Sequence, residues 1–449
     1  MSQDINTAPA SGTRDFLPNQ LRLREKVFQI VKDSFESFGF QPLQTPAFER
    51  LEVLTGKYGD EGEKLIFKIL KRGEKEQSGE ADLALRYDLT VPALRAFANH
   101  RQELPTIFKR YQIGQVWRAD RPGKERFREF TQCDIDIYGT AAASADLEIL
   151  LVINQTFRRL GLNNHLKIHV NSRLFLQEMT NAYRIPTHTA AHIMVILDKA
   201  DKIGMDAVAQ QIVQAIEQQG IAHQCQDFLH DMTQKNAKHL VVEKVGQQEN
   251  GRKIIHDIQW LIQQVQLLQP NTKIVFDPFL VRGLSYYTGF IFEVFSEENK
   301  GALSAGGRYD NLSRTLIGHD MPICGGSLGI ERIILLLEKT WRNTDHQQQT
   351  FFLTVWDQNM LAVTTQFAQE LRLQGLHVYL DLSGKEIKHQ LKFADKNGYR
   401  FCLIIGPDEI TNQQVVVKDL VNQKQEKISC KDYRQVAQHL KKLVELQII

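Results

Sequence analysis

Apolar positions recur at helical spacing over residues 19–38, where Leu21, Val27, Ile30, Val31, Phe35 and Phe38 fall near one face and Gly39 then stops the run. This predicts an amphipathic helix. FGFQPLQTPAFE follows as an extended stretch, because Pro42 and Pro46 cannot occupy a helix interior. Between 83 and 140, short apolar runs alternate with turn signals; ADLEILLVINQTFRRLG then returns to the helical period, and LKIHVNS reads as a strand. From 173 to 270 the pattern is mostly helical and unlike its surroundings, which predicts an inserted helical domain. Its glutamine-rich stretches, QQIVQAIEQQG and WLIQQVQLLQ, keep helical apolar spacing and are read as helices, not low complexity. Strand-like runs resume at 273–281, 290–296 and 301–305, and SLGIERIILLLEKT reads as a helix opened by glycine.

Residues 341–350, WRNTDHQQQT, are polar and aperiodic, the pattern of a linker. Beyond them FFLTVWD, NMLAVTTQFAQELRLQG, LHVYLDL, GKEIKHQLKFADKNG and YRFCLIIG alternate strand and helix; two short strands and a closing helix follow. Such alternation predicts a small α/β domain on a mainly parallel sheet. The expected organisation is a flexible tail at 1–12 and a large domain in two pieces, 13–172 and 271–338. The helical insertion spans 173–270, a linker 339–350, and the α/β domain 351–449. No repeat of fixed period is present.

The length of 449 residues fits about two to four domains. With 42% hydrophobic and 24% charged residues the chain reads as soluble and globular. No apolar run approaches the roughly 20 residues that span a bilayer, and MSQDINTAPASGTRD lacks the apolar core of a signal peptide. A net charge of +2 neither favours nor excludes nucleic acid, since a basic face can hide in a neutral total. Cys133, Cys225, Cys324, Cys402 and Cys430 lie far apart without a CxxC pair, which argues against a disulfide scaffold or structural zinc and fits a reducing cytosol.

Within KRYQIGQVWRADRPGKERFREFTQCDIDIYGT, residues 109–140, a basic centre holds Arg118, Arg121, Lys124, Arg126 and Arg128 between two alternating runs. The simplest reading is a hairpin with a basic loop, whose arginines either grip phosphate bidentately or form a solvated turn. The strand after the loop sets Gln132, Asp134 and Asp136 on one face and Cys133, Ile135 and Ile137 on the other. A row of amide and carboxylates on an internal strand needs partners, which a ligand with amine or imidazole nitrogens supplies. In LRYDLTVP, Asp88 and Thr90 are expected on one side of an extended segment ended by Pro92, either as an ammonium site or as an ordinary turn. GGSLGIER, residues 325–332, lets backbone approach closely and puts Arg332 on a first helical turn. It matches neither a dinucleotide fingerprint nor a P-loop, so it leaves either an arginine stacked on a purine or plain helix–sheet packing. VRGLSYYTGF (281–290) and AGGRYDNL (305–312) each set an arginine among glycines and tyrosines. His188 and His192, four apart with no HExxH glutamate or third ligand, read as ordinary helix histidines.

No single motif decides the function, but their order does. FGFQPLQTPAFE, RADRPGKERFREFTQ and GGSLGIER resemble motifs 1, 2 and 3 of the class II aminoacyl-tRNA synthetases, with Pro46 and Arg332 at the matching positions. VRGLSYYTG and AGGRYDNL resemble the two signatures peculiar to the histidyl-tRNA synthetases, and GTRDFLP, LRYDLTVP and the terminal α/β domain are similar to that family too. The resemblance spans about residues 11–440. It implies an α+β catalytic domain built on an antiparallel sheet with a helical insertion, plus a C-terminal α/β anticodon-binding domain.

The resemblance further implies a ligase that activates L-histidine with ATP to histidyl-adenylate and pyrophosphate, then transfers histidyl to the 3′ end of tRNA(His). By matching motif, Arg282 and Arg118 are the catalytic residues, neutralising charge at the α-phosphate. Asp88 and Thr90, with Gln132, hold the ammonium end of the histidine site, to which Leu89 also belongs. Asp136, Tyr286 and Tyr287 form the imidazole slot, and Tyr309 lines the same pocket. Phe130 and Arg332 hold adenine, with Arg126 at the γ-phosphate. Gly283, Gly306 and Gly307 admit close backbone. ATP is a substrate and brings Mg2+, for which no protein ligand is named; no organic cofactor is implied. The implied partners are tRNA(His) and a second copy joined through the motif 1 segment, and no membrane is implied. The helical insertion is expected at the acceptor arm and Lys385, Lys388, Lys392 and Lys396 either on a phosphate-facing stripe or on a solvated face. The family signature more usually has Asp where this chain has Ser285. The alternatives are a non-catalytic paralogue such as the regulatory subunit of ATP phosphoribosyltransferase, a class II synthetase for another amino acid, and a plain RNA-binding module. The histidine signatures and the terminal domain count against the first, RGLSYYTG against the second, and the pocket residues against the third.

Overall fold

The computed structural model describes residues 5–58, 62–123, 126–162, 165–282, 287–339 and 349–445. By compactness the chain divides into Met1–Lys339 and Thr340–Ile449.

In the first unit the strands are, in chain order, β1 (Gln41–Pro42), β2 (Phe48–Arg50), β3 (Lys68–Leu70), β4 (Ala81–Leu85), β5 (Phe108–Trp117), β6 (Glu129–Tyr138), β7 (Leu166–Ser172), β8 (Ile274–Phe276), β9 (Phe290–Ser296), β10 (Asn299–Arg308) and β11 (Ile323–Leu328). Eight of them form one sheet in the order β1-β5-β6-β11-β10-β9-β7-β8, and β2-β4-β3 form a smaller one. From β5 to β7 every pairing is antiparallel; only the short edge strands β1 and β8 run parallel to their neighbours. The predicted basic hairpin is present: β5 and β6 pair residue by residue from Phe108↔Tyr138 to Trp117↔Glu129, with residues 118–128 as the loop.

The first helix spans Pro18–Ser37 and buries Leu23, Arg24, Val27, Val31, Ser34 and Phe35. Leu21, expected on that face, is 42% exposed. It sits at the edge of the stripe, and Arg24 takes the buried position nearer its middle because a carboxylate across the interface pairs with it. Residues 173–270 fold as helices, among them Thr187–Leu197, Met205–Gln218, Ala237–Gly246 and Glu249–Leu268. They close over Ile193, Ile212, Ile216, Phe228, Val241 and Val245. Both glutamine-rich stretches are helical, in Met205–Gln218 and Glu249–Leu268. The run expected as a strand over 273–281 pairs only at 274–276, and Asp277 turns the chain out of the sheet.

The second unit holds β12 (Thr350–Leu353), β13 (His377–Leu380), β14 (Phe401–Ile404), β15 (Gln414–Asp419) and β16 (Lys424–Ser429), in the sheet order β13-β12-β14-β15-β16. The expectation of a mainly parallel sheet is corrected: β12 is parallel to β13 and β14, but β14–β15 and β15–β16 are antiparallel. The reason is connection length. A parallel crossover needs about a dozen residues or more, and only 405–413 and 420–423 separate these strands. Alternate residues feed two layers: Phe351, Leu353, Leu403 and Val417 join one core cluster, and Phe352 and Cys402 the other. Most of the segment read as a linker, 340–348, lies outside the described residues.

Candidate functional site

Sheet register lines up the polar face of the first unit. Asp134 stands beside Ser327, Ser327 beside Ala305, Ala305 beside Glu293 and Glu293 beside His169, one residue from each of β6, β11, β10, β9 and β7. The next row runs Arg110, Asp136, Gly325, Gly307 and Ile291. Above these rows lies a cavity of about 720 Å³. Asp88, Thr90, Gln132, Asp136, Tyr287 and Tyr309 line it, as do Arg118, Arg126, Arg282 and Arg332. Residues spread over most of the first unit's sequence therefore meet at one place.

Asp88 and Thr90 reach the cavity differently from the expectation. The segment is not extended as far as Pro92; a helix, Thr90–Asn99, already begins at Thr90. Asp88 Oδ1 accepts from the Val91 amide (3.1 Å) and from Tyr58 Oη (3.1 Å), so the carboxylate holds the helix start. Pro92 falls in the first turn, where a missing N–H leaves no bond unmade. Leu89 turns its side chain into the core at 0% exposure and does not line the cavity, while its carbonyl accepts from Arg110 (3.4 Å).

The floor of the cavity is short of positive charge. Arg110 is fully buried and ion-paired with Asp136. Burial raises Asp134 to about 6 and Asp136 to about 7, and raises Asp88 as well, although Arg110 pulls all three down. On Arg110, burial disfavours the charge, but Asp136, Tyr138 and Asp134 outweigh it and hold the guanidinium protonated. Tyr309 Oη donates to Asp136 Oδ1, and Tyr287 meets the Tyr309 ring edge-on at 6.3 Å. Gly325 has to be glycine here, since a Cβ would stand 2.0 Å from Asp136 Oδ1. Gln132 Oε1 and Asp134 Oδ1 are buried without a hydrogen-bond partner among the described residues. Two bare acceptors and an excess of carboxylate suit a ligand rich in N–H donors.

The other end is cationic. Arg282 is ion-paired with Glu293 and lies 5.8 Å from the Tyr287 ring. Arg118 donates from Nε to the Tyr87 carbonyl (3.1 Å) and sits over the Tyr87 and Phe130 rings at 4.3 and 5.1 Å. Phe130 does not itself line the cavity. Arg332 donates to the Ala302 carbonyl (2.8 Å) and crosses above Gly301, where a Cβ would stand 2.6 Å from its guanidinium carbon. Arg126 pairs with Asp120 (2.7 Å) with its side chain 64% exposed. Tyr286, Gly283, Ser285 and Lys124 lie outside the described residues. Gly306 is bare backbone, a Cβ there meeting the Gly325 carbonyl at 2.1 Å, and Gly307 likewise meets that of Phe290 at 2.2 Å.

Sequence reasoning missed several participants. Alternation on β5 could have put Arg110 on the polar face, but only register shows that it faces Asp136. Glu293 carries no motif signal. His169 Nδ1 and Asp277 Oδ2 lie 2.8 Å apart, and Lys238 from the helical insertion reaches Asp277 Oδ1 at 2.7 Å. Burial works against the Asp277 charge, but these two partners bring it down to about 2. His188 and His192 are exposed, and no group of three or more metal-ligating side chains occurs among the described residues.

Comparison with known proteins agrees in extent with this architecture. A family profile described as histidyl-tRNA synthetase matches residues 12–333, and one described as an anticodon binding domain matches 342–440. The chain is 35% identical over 442 residues to a histidine–tRNA ligase of Cytophaga hutchinsonii, covering 93% of this chain and 96% of that one. It is 33% identical over 449 residues to that of Gloeobacter violaceus, covering 93% and 95%. Among solved structures, histidyl-tRNA synthetase from Nostoc sp. PCC 7120 superposes with a TM-score of 0.79 at 28% identity, covering 98% of this chain and all of the other.

Proposed function

The chain belongs to the histidyl-tRNA synthetase family, and from that premise we propose how its own residues carry out the ligation of histidine to tRNA. The enzyme is a histidine–tRNA ligase: it forms histidyl-adenylate from histidine and ATP, then passes histidyl to the tRNA 3′ end. In our reading the α-ammonium of histidine fills the charge deficit at the cavity floor. Asp88 and Thr90 take it from the helix start, and Gln132 offers its unpartnered Oε1. The imidazole lies between Asp136 and Tyr287, with Tyr309 steadying the carboxylate. A neutral imidazole has one donor and one acceptor nitrogen, so a carboxylate facing one and a phenol facing the other read that ring and reject those lacking either. Tyr286 belongs to the same slot in this reading.

The histidine carboxylate attacks the α-phosphate; pyrophosphate leaves with the electron pair of the broken P–O bond. Arg118 and Arg282 flank that centre and stabilise its growing negative charge, positioning and electrostatics being the main work in such transfers. Glu293 keeps Arg282 folded against the sheet until the phosphate takes its place. Arg332 and Phe130 hold adenine, and Arg126 leaves Asp120 for the γ-phosphate. Mg2+ arrives with ATP on the phosphate oxygens. The second unit binds the anticodon loop, a role supported by its family profile. Its Lys385, Lys388, Lys392 and Lys396, all exposed, face phosphate. The motif 1 segment joins two copies as a homodimer. A cytoplasmic setting fits five unbridged cysteines.

The observation that carries the residue assignment is the meeting of Asp88, Gln132, Asp136, Arg118 and Arg282 around one cavity. Amino-acid-dependent ATP–pyrophosphate exchange, run with each amino acid separately, tests it. Exchange with histidine alone is expected; exchange with another amino acid, or none from folded protein, overturns it.

A further inference from the structure

Glu331 immediately precedes Arg332 in the first turn of the Ile330–Glu338 helix and is buried at 7% exposure. Its carboxylate is gripped from three elements. Arg24 of the Pro18–Ser37 helix donates through both terminal nitrogens, Nη1 to Oε2 and Nη2 to Oε1, each at 2.8 Å. Arg14, from the segment before that helix, donates to Oε2. The Thr131 amide on β6 donates to Oε1 (3.2 Å), and Arg24 also reaches Thr131 Oγ1 (3.1 Å). Thr131 stands between Phe130 and Gln132, so this one carboxylate ties Arg332 to the strand that carries both.

Arg14 does a second thing. Its guanidinium stacks on the Phe127 ring, 3.4 Å from the centroid, and lies 4.9 Å from that of Phe16. Phe127 is on the returning limb of the basic loop. Two residues before Arg14, the Gly12 carbonyl accepts from the amides of Arg128 (2.8 Å) and Glu129 (3.4 Å) on that same limb. Residues 12–16 thus lie along the loop carrying Arg118, Arg121, Arg126 and Arg128, a net basic segment in which Asp120 offsets Arg126 and the remaining like charges repel one another. The carboxylate of Glu331 is fully paired, whereas the contacts within the loop, among the described residues, gather on its own two limbs: Gly123 and Arg126 pair across the tip, Arg126 and Arg128 reach Asp120 (2.7 and 3.0 Å), and the Arg118 amide donates to the Arg128 carbonyl (2.9 Å) at the base.

We propose that residues 12–16 are a strap that sets the basic loop 118–128 against the Ile330–Glu338 helix, with Arg14, bridging Phe127 and Glu331, as the positioning residue for the ATP site. The proposal rests on the ATP reading of Arg126, Phe130 and Arg332 given above. The two walls that would hold adenine come from separate elements, and a wall displaced by an ångström loses much of its binding. Arg14 touches no substrate. It acts through Phe127 and Glu331, and because Arg24 still holds both oxygens of Glu331, and with them Thr131 beside Gln132, its effect falls on the ATP loop and not on the histidine pocket.

The test uses the full chain with Arg14→Ala and Arg14→Lys. Arg14 has 29% of its side chain exposed, so the core tolerates its loss. In pyrophosphate exchange, Arg14→Ala is expected to raise the KM for ATP about tenfold, the loss of one charged hydrogen bond, with the KM for histidine unchanged. Arg14→Lys keeps the charge at Glu331 but not the flat stack on Phe127, and is expected to fall between. Without any ligand, trypsin is expected to nick Arg14→Ala faster within 118–128 than the unaltered chain. An unchanged KM for ATP with unchanged nicking, or KM values for ATP and histidine that rise together, would overturn the strap. If the unaltered chain showed no ATP-dependent exchange, the ATP reading would fail by itself; faster nicking in Arg14→Ala would still uphold the strap.

Discussion

Two buried arginine–carboxylate clusters in the first unit have opposite balances. At Glu331 a single carboxylate meets two guanidinium groups and a backbone amide. Burial raises its pKa, but Arg24 and Arg14 outweigh burial and hold it below the usual value. At Arg110 a single guanidinium serves Asp136 and Asp134, with Asp88 close by, and burial raises all three acids. The carboxylate of the first cluster is fully paired and holds elements together. The second is short of cations, and in the reading proposed above a substrate ammonium repairs that deficit. Completeness of pairing separates scaffold from site here, where burial and residue type do not.

The harshest way to break the comparison is to remove the acid from the deficient cluster. Asp136→Ala is expected to lower kcat/KM for histidine about a thousandfold through loss of a ring contact, and to lower the urea midpoint as well, because the buried Arg110 loses its ion-pair partner. If histidine activation survived, the cluster would be structural. Glu331→Gln is the reciprocal change. It leaves two arginines facing a neutral amide and is expected to cost about 3 kcal/mol of stability, read as a lower urea midpoint; an unshifted midpoint would mean that the complete cluster holds nothing together. Smaller again is Tyr287→Phe, which keeps the ring packing against Tyr309 and removes one hydrogen bond. About tenfold in histidine KM is expected, and an unchanged KM would take Tyr287 out of the imidazole slot.

The smallest expected effect needs no mutation. Asp134 and Asp136 have folded pKa values of about 6 and about 7, above their ordinary 3.8. The native chain therefore binds more protons than the unfolded one between pH 4 and 7, and this cluster's contribution to stability falls as pH rises through that window. Glu331 has the opposite sign: its contribution is present above 4.5 and is lost as pH falls through its lowered folded value. Histidine favours ionised carboxylates, so its KM should fall from pH 6 to 8 and its stabilising effect in urea should grow over the same range. A KM that is flat or rises across that range would mean the cluster does not meet the ammonium.

Much of this was legible because it is local. The alternation in TQCDIDIYG put Gln132, Asp134 and Asp136 on one face, and the hairpin followed from two apolar runs around one basic loop. The start of a helix at Thr90 was harder to read, since Pro92 looks like a stop. Only the backbone shows that the proline falls in a first turn held by Asp88. The antiparallel half of the second sheet could have been inferred from its short connections, but strand–helix alternation weighed more heavily.

The sequence by itself determined the helix and strand periods, the order of the motifs and the family, because each depends on residues close in the chain or on their order along it. Tertiary structure alone decided which charges are paired. Arg24 and Glu331 are 307 residues apart, and Tyr309 and Asp136 are 173. Sheet register sets Asp136 opposite Arg110 and Gly325, where a one-residue slip would turn it to the other face. Whether a buried carboxylate becomes a brace or a binding site depends on how many cations the fold brings to it, and that count exists only once the chain has closed.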